Sequence, residues 1–278
     1  MRFVRFCLQK SRAIAHMFGL HRIAGLRRLV DCLKEFTFLL SFPFAVKIQG
    51  VWMKGLASYY FITGVYEADT TAYFRRVVQP GWTAIDVGAD FGYYTLIFSR
   101  LVGTKGRVFA FEPFTARYGG FLLGNIARNA LRNVIPIPFG LDERPATHDY
   151  FEDTHGFYTT TGRKPSERVS TIVFDDFFMA FGGPVDIVKI DTEGSELRVL
   201  HGMRKTIITN PKIRIVIEIA PHVLARSGSS AKELIDLLEE LGLRYFWINP
   251  DGSDQQIMRQ ELEDRLSRVK YTNIVCQR

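Results

Sequence analysis

Residues 84–95 read Ala-Ile-Asp-Val-Gly-Ala-Asp-Phe-Gly-Tyr-Tyr-Thr, and residues 108–113 read Val-Phe-Ala-Phe-Glu-Pro. The first stretch predicts a buried strand that ends in a glycine turn and then begins a helix. The second stretch predicts another strand, with Glu112 at its tip. Because an acid at that position can accept both hydroxyl protons of a ribose, the two stretches together predict a nucleoside-binding crevice in a parallel α/β sheet.

The charge of the glycine turn indicates which nucleoside it binds. Dinucleotide sites have the spacing G-x-G-x-x-G, whereas here three residues separate Gly88 from Gly92 and no closer glycine pair is present. Asp86 and Asp90 flank the same turn, and two carboxylates would repel a pyrophosphate. They suit a ligand that carries an ammonium and a sulfonium, so the sequence favours S-adenosylmethionine. The alternative is an ordinary strand-to-helix turn with a buried capping aspartate.

Composition and charge limit the classes of function. The net charge of +7 lies near the N-terminus, because residues 1–54 contain 10 Lys/Arg against 2 Asp/Glu and residues 55–278 contain 26 against 27. No basic run lies near the predicted crevice, which argues against a nucleic acid partner. The three cysteines show no metal-binding spacing, and no run of about 18 apolar residues predicts a transmembrane helix. We therefore expect a cytoplasmic protein, and the sequence predicts no oligomeric state.

Residues 1–75 are predicted to form a basic helical N-terminal segment ahead of a catalytic domain at residues 76–278. Within residues 1–35 the apolar side chains share one face of a helix, and most of the basic ones lie elsewhere. Two interpretations remain open. The segment packs on the catalytic domain as a cap or lid, or it lies peripherally on the inner face of an anionic membrane.

From about residue 80, strand and helix patterns alternate, which predicts a doubly wound α/β sheet. Residues 142–171 interrupt the alternation and are predicted as a hairpin insertion that either shapes a substrate pocket or is a solvated edge. The strands are predicted at 83–87, 107–111, 134–139, 185–190, 213–219, 244–248 and 271–276, and the helices at 93–101, 116–130, 196–208 and 231–241.

Several blocks resemble one family. Residues 85–95 are similar to the first motif of the FkbM-type methyltransferases, and residues 109–113 look like their second. Residues 185–197, Val-Asp-Ile-Val-Lys-Ile-Asp-Thr-Glu-Gly-Ser-Glu-Leu, resemble the most distinctive block of the family. Residues 64–67 resemble its short acidic motif, which makes Glu67 a site candidate by resemblance only. The resemblance extends over roughly residues 60–275.

The resemblance implies a class I methyltransferase fold, a Rossmann-like and mostly parallel sheet with an antiparallel C-terminal strand. It also implies S-adenosylmethionine as the methyl donor and a hydroxyl acceptor on a sugar, glycolipid, polysaccharide or other secondary metabolite. Asp90 stands where the family usually has Asn, and Phe114 where it usually has a polar residue. Asp90 can still accept a bond from the amino-acid part of the cofactor, and Phe114 can pack on the adenine. The predicted cofactor-binding residues are Glu67, Asp86, Gly88, Ala89, Asp90, Gly92, Tyr93, Glu112, Pro113, Phe114 and Leu141.

An alcohol acceptor benefits from a base within hydrogen-bond reach. The predicted catalytic residues are Asp191, Glu193, Glu218 and His222, all near strand ends, and Asp191 is the first choice because it ends its strand close to the expected methyl position. Glu218 could instead pair with Lys189 on a neighbouring strand, and Glu193 could complement the dipole of the following helix. Our prediction includes no metal, although Asp191, Glu193 and Glu218 could converge on Mg²⁺ as a minor alternative.

The sequence leaves two candidate functions. The first is an O-methyltransferase. The second is a non-catalytic, membrane-associated scaffold that retains the fold, which the basic N-terminus and the departures at Asp90 and Phe114 would allow. An NAD-dependent oxidoreductase would need the missing glycine pair. A nucleic acid methyltransferase often carries an Asn/Asp-Pro-Pro-Tyr/Phe motif, which this chain lacks.

Overall fold

The computed structural model describes residues 46–48, 51–53, 66–152, 158–159 and 167–278. The predicted helix at residues 1–35 and the first two residues of the acidic motif at 64–67 lie outside the described residues. Among the helices of the described ranges, none has the length and apolar character needed to cross a bilayer.

The described residues form fourteen strands. They are β1 (Val46–Ile48), β2 (Val51–Met53), β3 (Thr83–Val87), β4 (Arg107–Phe111), β5 (Val134–Ile137), β6 (Gly140–Leu141), β7 (Ala146–Glu152), β8 (Tyr158–Thr159), β9 (Glu167–Ile172), β10 (Ile187–Ile190), β11 (Arg214–Ile219), β12 (Arg244–Ile248), β13 (Asp254–Ile257) and β14 (Thr272–Gln277).

The helices follow the same order. They are α1 (Ala68–Val77), α2 (Tyr93–Val102), α3 (residues 115–128), α4 (Phe174–Phe178), α5 (Glu196–Gly202), α6 (Arg204–Thr209), α7 (Pro221–Arg226), α8 (Ala231–Glu240) and α9 (Arg259–Leu266). A π-helical turn at Tyr118–Leu122 divides α3, between α-helical turns at Thr115–Arg117 and Leu123–Arg128.

Eight strands form the main sheet in the order β13-β12-β14-β11-β10-β3-β4-β5. The five strands from β11 to β5 run parallel, and the C-terminal β14 runs antiparallel to both of its neighbours. The middle strands are buried on both faces, which explains why they read as continuous apolar runs. The predicted doubly wound, mostly parallel sheet with an antiparallel C-terminal strand is therefore confirmed.

Helices cover both faces of this sheet. On one face α2 is buried almost all round, and Phe98 packs against Phe74 of α1 with ring centroids 4.7 Å apart. On the other face α8 buries its leucines, and the Ser230 hydroxyl caps its start by accepting the Glu233 N–H at 3.2 Å. Helix α1 crosses residue 75, the predicted end of the N-terminal segment, and its Tyr73 belongs to the core of the sheet domain.

The region predicted as a hairpin forms a second, smaller sheet. Strand β7 pairs antiparallel with β9, and β6 pairs parallel with β9 beside the carboxyl end of the main sheet. Residues 153–157 and 160–166 of this region lie outside the described part. The side of the second sheet that faces the main sheet contributes Val169 and Thr171 to the crevice described below.

Candidate functional site

The strand order of the main sheet reverses between β3 and β10. From β3 the chain continues outward to β4 and β5, whereas β10 and β11 lie on the other side of β3. Ligands bind beside the carboxyl ends of the strands at such a point. A crevice opens there, lined by Tyr66, Asp86, Val87, Gly88, Ala89, Asp90, Phe91, Tyr93, Tyr94, Phe111, Glu112, Pro113, Phe114, Arg117, Gly140, Leu141, Asp142, Tyr150, Val169, Thr171, Lys189, Asp191, Thr192, Glu193 and Ser195.

The glycine turn after β3 forms the floor of the crevice. Gly88 has φ +81°, and its N–H and that of Ala89 both donate to the carbonyl of Phe111, at 3.0 and 2.9 Å. A Cβ on Gly88 would come within 1.8 Å of the Asp191 carbonyl oxygen. Glycine is therefore required at this position for two reasons, its left-handed backbone and its contact with the loop after β10.

Glu112 lies at the tip of β4, as predicted, and is only 2% exposed. One carboxylate oxygen accepts the Asp90 N–H at 2.8 Å, and the other accepts the Phe114 N–H at 2.9 Å. Burial raises the pKa of this carboxyl to about 7, although the two N–H groups oppose that rise. Since each oxygen has a further lone pair, the carboxylate can still accept two hydrogen bonds from a ligand.

Asp86, at the end of β3, is also buried and accepts a hydrogen bond from the Thr95 hydroxyl of α2. Burial raises its pKa to about 6, against the opposing effects of Thr95 and Lys189. This carboxylate both lines the crevice and fixes the start of α2 against β3.

The two departures from the family pattern are accommodated on the crevice rim. The Asp90 carboxylate forms an ion pair with Arg117 at 3.0 Å. Burial raises the pKa of Asp90, and Arg117 opposes that rise. The Phe114 ring meets the edge of Tyr150 at 5.3 Å, and the Arg117 guanidinium lies over the Phe114 ring at 5.5 Å. These four side chains form one contiguous wall.

At the other end of the crevice, Lys189 of β10 is fully buried. Its ammonium donates to the Asp191 carboxylate at 3.2 Å and to the Asn273 side-chain oxygen at 3.1 Å. The alternative considered for Glu218, a pair with Lys189, is not a direct ion pair in the described part of the chain; β10 and β11 are aligned so that Lys189 stands beside Val216. Glu218 lies two residues further towards the crevice.

Three carboxylates surround this ammonium. Glu67, Asp191 and Glu218 each place one oxygen within 4.8 Å of the others, and Glu67 accepts a hydrogen bond from the Tyr94 hydroxyl. Burial and the neighbouring Asp191 carboxylate raise the pKa of Glu218 far above its ordinary value. Burial lowers the pKa of Lys189, but the three carboxylates more than reverse that effect and raise it.

The loop after β10 is held by a buried acid that the sequence analysis did not select. One oxygen of Glu196 accepts the N–H groups of Thr192 and Gly194 and the Thr192 hydroxyl, each at 3.1 Å. The helix-start role considered for Glu193 therefore belongs to Glu196. Glu193 lines the crevice with φ +53°, and its pKa is raised to about 7 by burial and by the Asp191 and Glu196 carboxylates.

Most of the predicted site residues lie together on the crevice. Glu67 and Glu218 lie behind its wall in contact with lining residues, and Gly92 caps the start of α2. His222 is exposed near the start of α7 and is not among the lining residues, so nothing in its surroundings supports a role as base. Glu193 is not in the carboxylate cluster, so a Mg²⁺ alternative would have to use Glu67 in its place.

The sequence analysis did not select several lining residues, among them Arg117, Tyr150 and Asp142. Arg117 and Tyr150 form the rim wall, and Asp142 is a buried carboxylate held by His148 at 2.9 Å and Arg198 at 3.2 Å. Arg117 follows Glu112 by five positions and lies in the first turn of α3. Arg198, one partner of Asp142, is distant in sequence, so no local pattern indicates that pair.

The sequence of residues 86–245 matches the family model of the methyltransferase FkbM domain, which covers more than half of the chain. A search of the curated proteins gave no match. Among solved structures, the methyltransferase FkbM of Methylobacillus flagellatus is 16% identical with a TM-score of 0.45, over 78% of this chain and 52% of that one. The chain thus spans about half the length of that protein.

Two further solved structures are similar to this chain. The precorrin-6y C5,15-methyltransferase of Geobacter metallireducens is 12% identical with a TM-score of 0.44, over 85% of this chain and 94% of that one. The fibrillarin of Aeropyrum pernix, solved with natively bound S-adenosyl-L-methionine, is 14% identical with a TM-score of 0.42, over 76% of each chain.

Proposed function

Because this chain belongs to the FkbM methyltransferase family, we propose that it is an S-adenosylmethionine-dependent O-methyltransferase that methylates a sugar-containing acceptor. One observation carries the proposal. The same crevice holds a buried carboxylate able to bind a diol, Glu112, and a second carboxylate, Asp191, held by the buried ammonium of Lys189.

The residues present fit the cofactor. Glu112 retains two lone pairs for the ribose hydroxyls, and the acidic groups Asp86 and Asp90 favour a cationic ligand over a pyrophosphate. Phe114 and Tyr150 supply flat apolar surface for an adenine. When bound, S-adenosylmethionine supplies a methyl group that is already activated by its positively charged sulfur.

Asp191 is the best placed base. Its Oδ2 atom is engaged by Lys189, which leaves Oδ1 to accept a hydrogen bond from the acceptor hydroxyl and then its proton. The Lys189 ammonium stabilises the negative charge on Asp191 and, with Asn273, fixes the orientation of the carboxylate. The chain thereby holds the acceptor oxygen that attacks the methyl group, and it removes the proton of that oxygen. Correct positioning of acceptor and cofactor supplies most of the remaining rate acceleration.

The acceptor side of the crevice favours an uncharged, hydroxyl-rich compound. Tyr66 and Tyr93 form an edge-to-face pair at 5.0 Å, and aromatic rings pack well on the C–H faces of sugars. Asp191, Glu193 and the nearby Glu67 accept hydrogen bonds from hydroxyl groups, and together they repel phosphorylated or carboxylated acceptors. A lipid-linked glycan is compatible with this chemistry, and the basic residues 1–54 would favour its presentation at an anionic membrane.

The cofactor is tested by calorimetric titration of the full chain with S-adenosylmethionine. We expect saturable binding that Glu112→Ala weakens at least about tenfold, because the variant loses the diol contacts. Asp176→Ala is the matched control, since Asp176 is an exposed carboxylate of α4 away from the crevice. Absence of binding by the wild-type chain would favour the scaffold function.

The acceptor is tested with S-adenosylmethionine labelled with ¹³C in its methyl group. Neutral sugars and glycolipids are offered beside their uronic acid and phosphate counterparts, and the products are analysed by NMR. We expect a labelled methyl ether on a neutral acceptor, and its loss in Asp191→Asn with cofactor binding retained. Label found on nitrogen or carbon would overturn O-methylation without affecting the cofactor assignment.

A further inference from the structure

The half of the main sheet around β4 and β5 is strongly basic, although residues 55–278 as a whole are close to neutral. Residues 91–141 contain six Lys/Arg, and Glu112 is their only acid. Four of these cations, Arg100, Lys105, Arg107 and Arg132, line one groove, which has no acidic residue in its lining. All four side chains are exposed, and none forms an ion pair with any residue in the described part of the chain.

The groove lies at the opposite edge of the sheet from the crevice. Arg107 begins β4, whereas Glu112 follows the end of the same strand. Lys105 lies in the turn between α2 and β4, and Arg132 lies in the connection from α3 to β5. The carboxylate of Asp186 is near this edge, but it is already bonded to the Thr83 N–H at 2.8 Å.

The floor of the groove is fixed by Asn133. Its side-chain nitrogen donates to the carbonyls of Ser99 and Gly103, both at 2.8 Å, and its oxygen accepts from the Ser99 hydroxyl. These bonds join the end of α2 to the start of β5. They also satisfy helix carbonyls to which basic side chains could otherwise donate hydrogen bonds. Arg100 still lies in the last turn of α2, where a cation is favourable, but the other three cations lie outside the helix.

We propose that this groove binds a soluble compound that carries a diphosphate group. Four cations that have no ion-pair partner in the described part of the chain surround one recess and repel each other, and an anion with several charges removes that repulsion. A lipid surface is the less suitable partner, since none of the groove residues is among the exposed large hydrophobic side chains of the described part. The site is separate from the crevice, so it does not depend on the proposed methyl transfer.

The test is calorimetric titration of the full chain with inorganic pyrophosphate at low and at physiological ionic strength. The acidic crevice does not compete for this probe. We expect saturable binding that weakens with salt and that falls roughly tenfold or more in Lys105→Glu/Arg132→Glu. Arg268→Glu/Lys270→Glu is the matched control, because it reverses the same number of charges at exposed residues that lie after α9.

Three results would overturn the proposal. They are no saturable binding by the wild-type chain, equal loss of binding in Arg268→Glu/Lys270→Glu, and retention of the chain on phosphatidylserine vesicles through the groove residues without competition by pyrophosphate. The last result would assign the groove to a lipid surface. Because all the substituted side chains are exposed, the variants are expected to melt within a few degrees of the wild type, and Lys105→Gln/Arg132→Gln serves as a milder second variant.

Discussion

At the scale of single residues, Glu112 makes cofactor binding depend on pH. Its pKa is raised to about 7 by burial, and a ribose diol needs the ionised form as acceptor. Affinity is therefore expected to be highest above pH 7 and to be lost as the pH falls, by about tenfold between pH 8 and pH 6. The measurement is the dissociation constant of S-adenosylmethionine across that range.

Glu112→Gln isolates this effect, since glutamine keeps the shape of the side chain but does not titrate. The variant should bind more weakly at pH 8 and show a flatter pH profile than the wild type. Ionisation of the cofactor itself is common to both proteins and cancels in the comparison. Parallel profiles would show that another group controls binding.

Gly88→Ala tests the contact between the glycine turn and the loop after β10. The new Cβ would meet the Asp191 carbonyl oxygen at 1.8 Å, so we expect a loss of more than about 2 kcal/mol and weaker cofactor binding. Gly81→Ala is the control, because Gly81 also has a positive φ of +90° but has open space around its Cβ position. Equal losses in the two variants, measured by urea unfolding, would mean that backbone strain alone explains the requirement for glycine.

Lys189→Met removes the ammonium from the cluster of Glu67, Asp191 and Glu218. The carboxylates of Glu67 and Asp191 would then share this space without a counter-ion, and we expect a loss of about 3–5 kcal/mol at pH 7. Adding Asp191→Asn should restore part of the loss, since it removes one of the repelling charges. The unfolding free energies of both variants check this, and a second substitution that lowers stability further would contradict it.

At the scale of elements, the loop from Asp191 to Ser195 depends on one buried acid of α5. Glu196→Ala would leave the N–H groups of Thr192 and Gly194 without their acceptor, at an expected cost of about 1–3 kcal/mol. Hydrogen exchange of these two amides should speed up as well. The control is Glu233→Ala in the exposed first turn of α8, where we expect a smaller loss; a similar loss there would show that the loop does not depend on Glu196.

Strands β3, β4 and β12 could be predicted to the residue, because each is a short, mostly apolar run with clear ends. The break at Met203 was not predicted, and the helix expected over residues 196–208 is in fact α5 and α6. Likewise the predicted helix at 116–130 contains a π-helical turn over Gly119 and Gly120, where the propensity for α-helix is low. Periodicity shows the existence of a helix better than its internal breaks.

The residues of the candidate site also fall into two groups, those that the sequence could locate and those that it could not. Asp86, Gly88 and Glu112 could be found because one strand, one turn and one strand tip place them by local rules. The bonds of Lys189 to Asn273 and of Asp142 to Arg198 join residues more than 50 positions apart. Tertiary packing decides these pairs, and the alternative of a pair between Lys189 and Glu218 could not be judged from the sequence because the strand register was not known.

At the scale of the whole molecule, the crevice concentrates carboxyls whose pKa values burial raises. The pKa is about 6 for Asp86 and about 7 for Glu112 and Glu193, against 3.8 and 4.5 for ordinary Asp and Glu. When the pH lies between the ordinary pKa of such a group and its raised pKa, the folded protein holds a proton that the unfolded chain has already released. The contribution of these carboxyls to stability is complete below about pH 4 and is lost as the pH rises through 6 to 7.

The ligand-free protein is therefore expected to lose at least about 2 kcal/mol of unfolding free energy between pH 5 and pH 8, as measured by urea unfolding. Glu112→Gln/Glu193→Gln should flatten this profile, because the substituted side chains cannot ionise. S-adenosylmethionine should stabilise the protein most at the alkaline end, where its binding partners are ionised and mutual repulsion is greatest. If the stability of the wild type instead rose with pH, the crevice carboxyls would already be ionised at pH 5. Their mutual repulsion would then not destabilise the folded chain, and a cationic ligand would have no such repulsion to relieve.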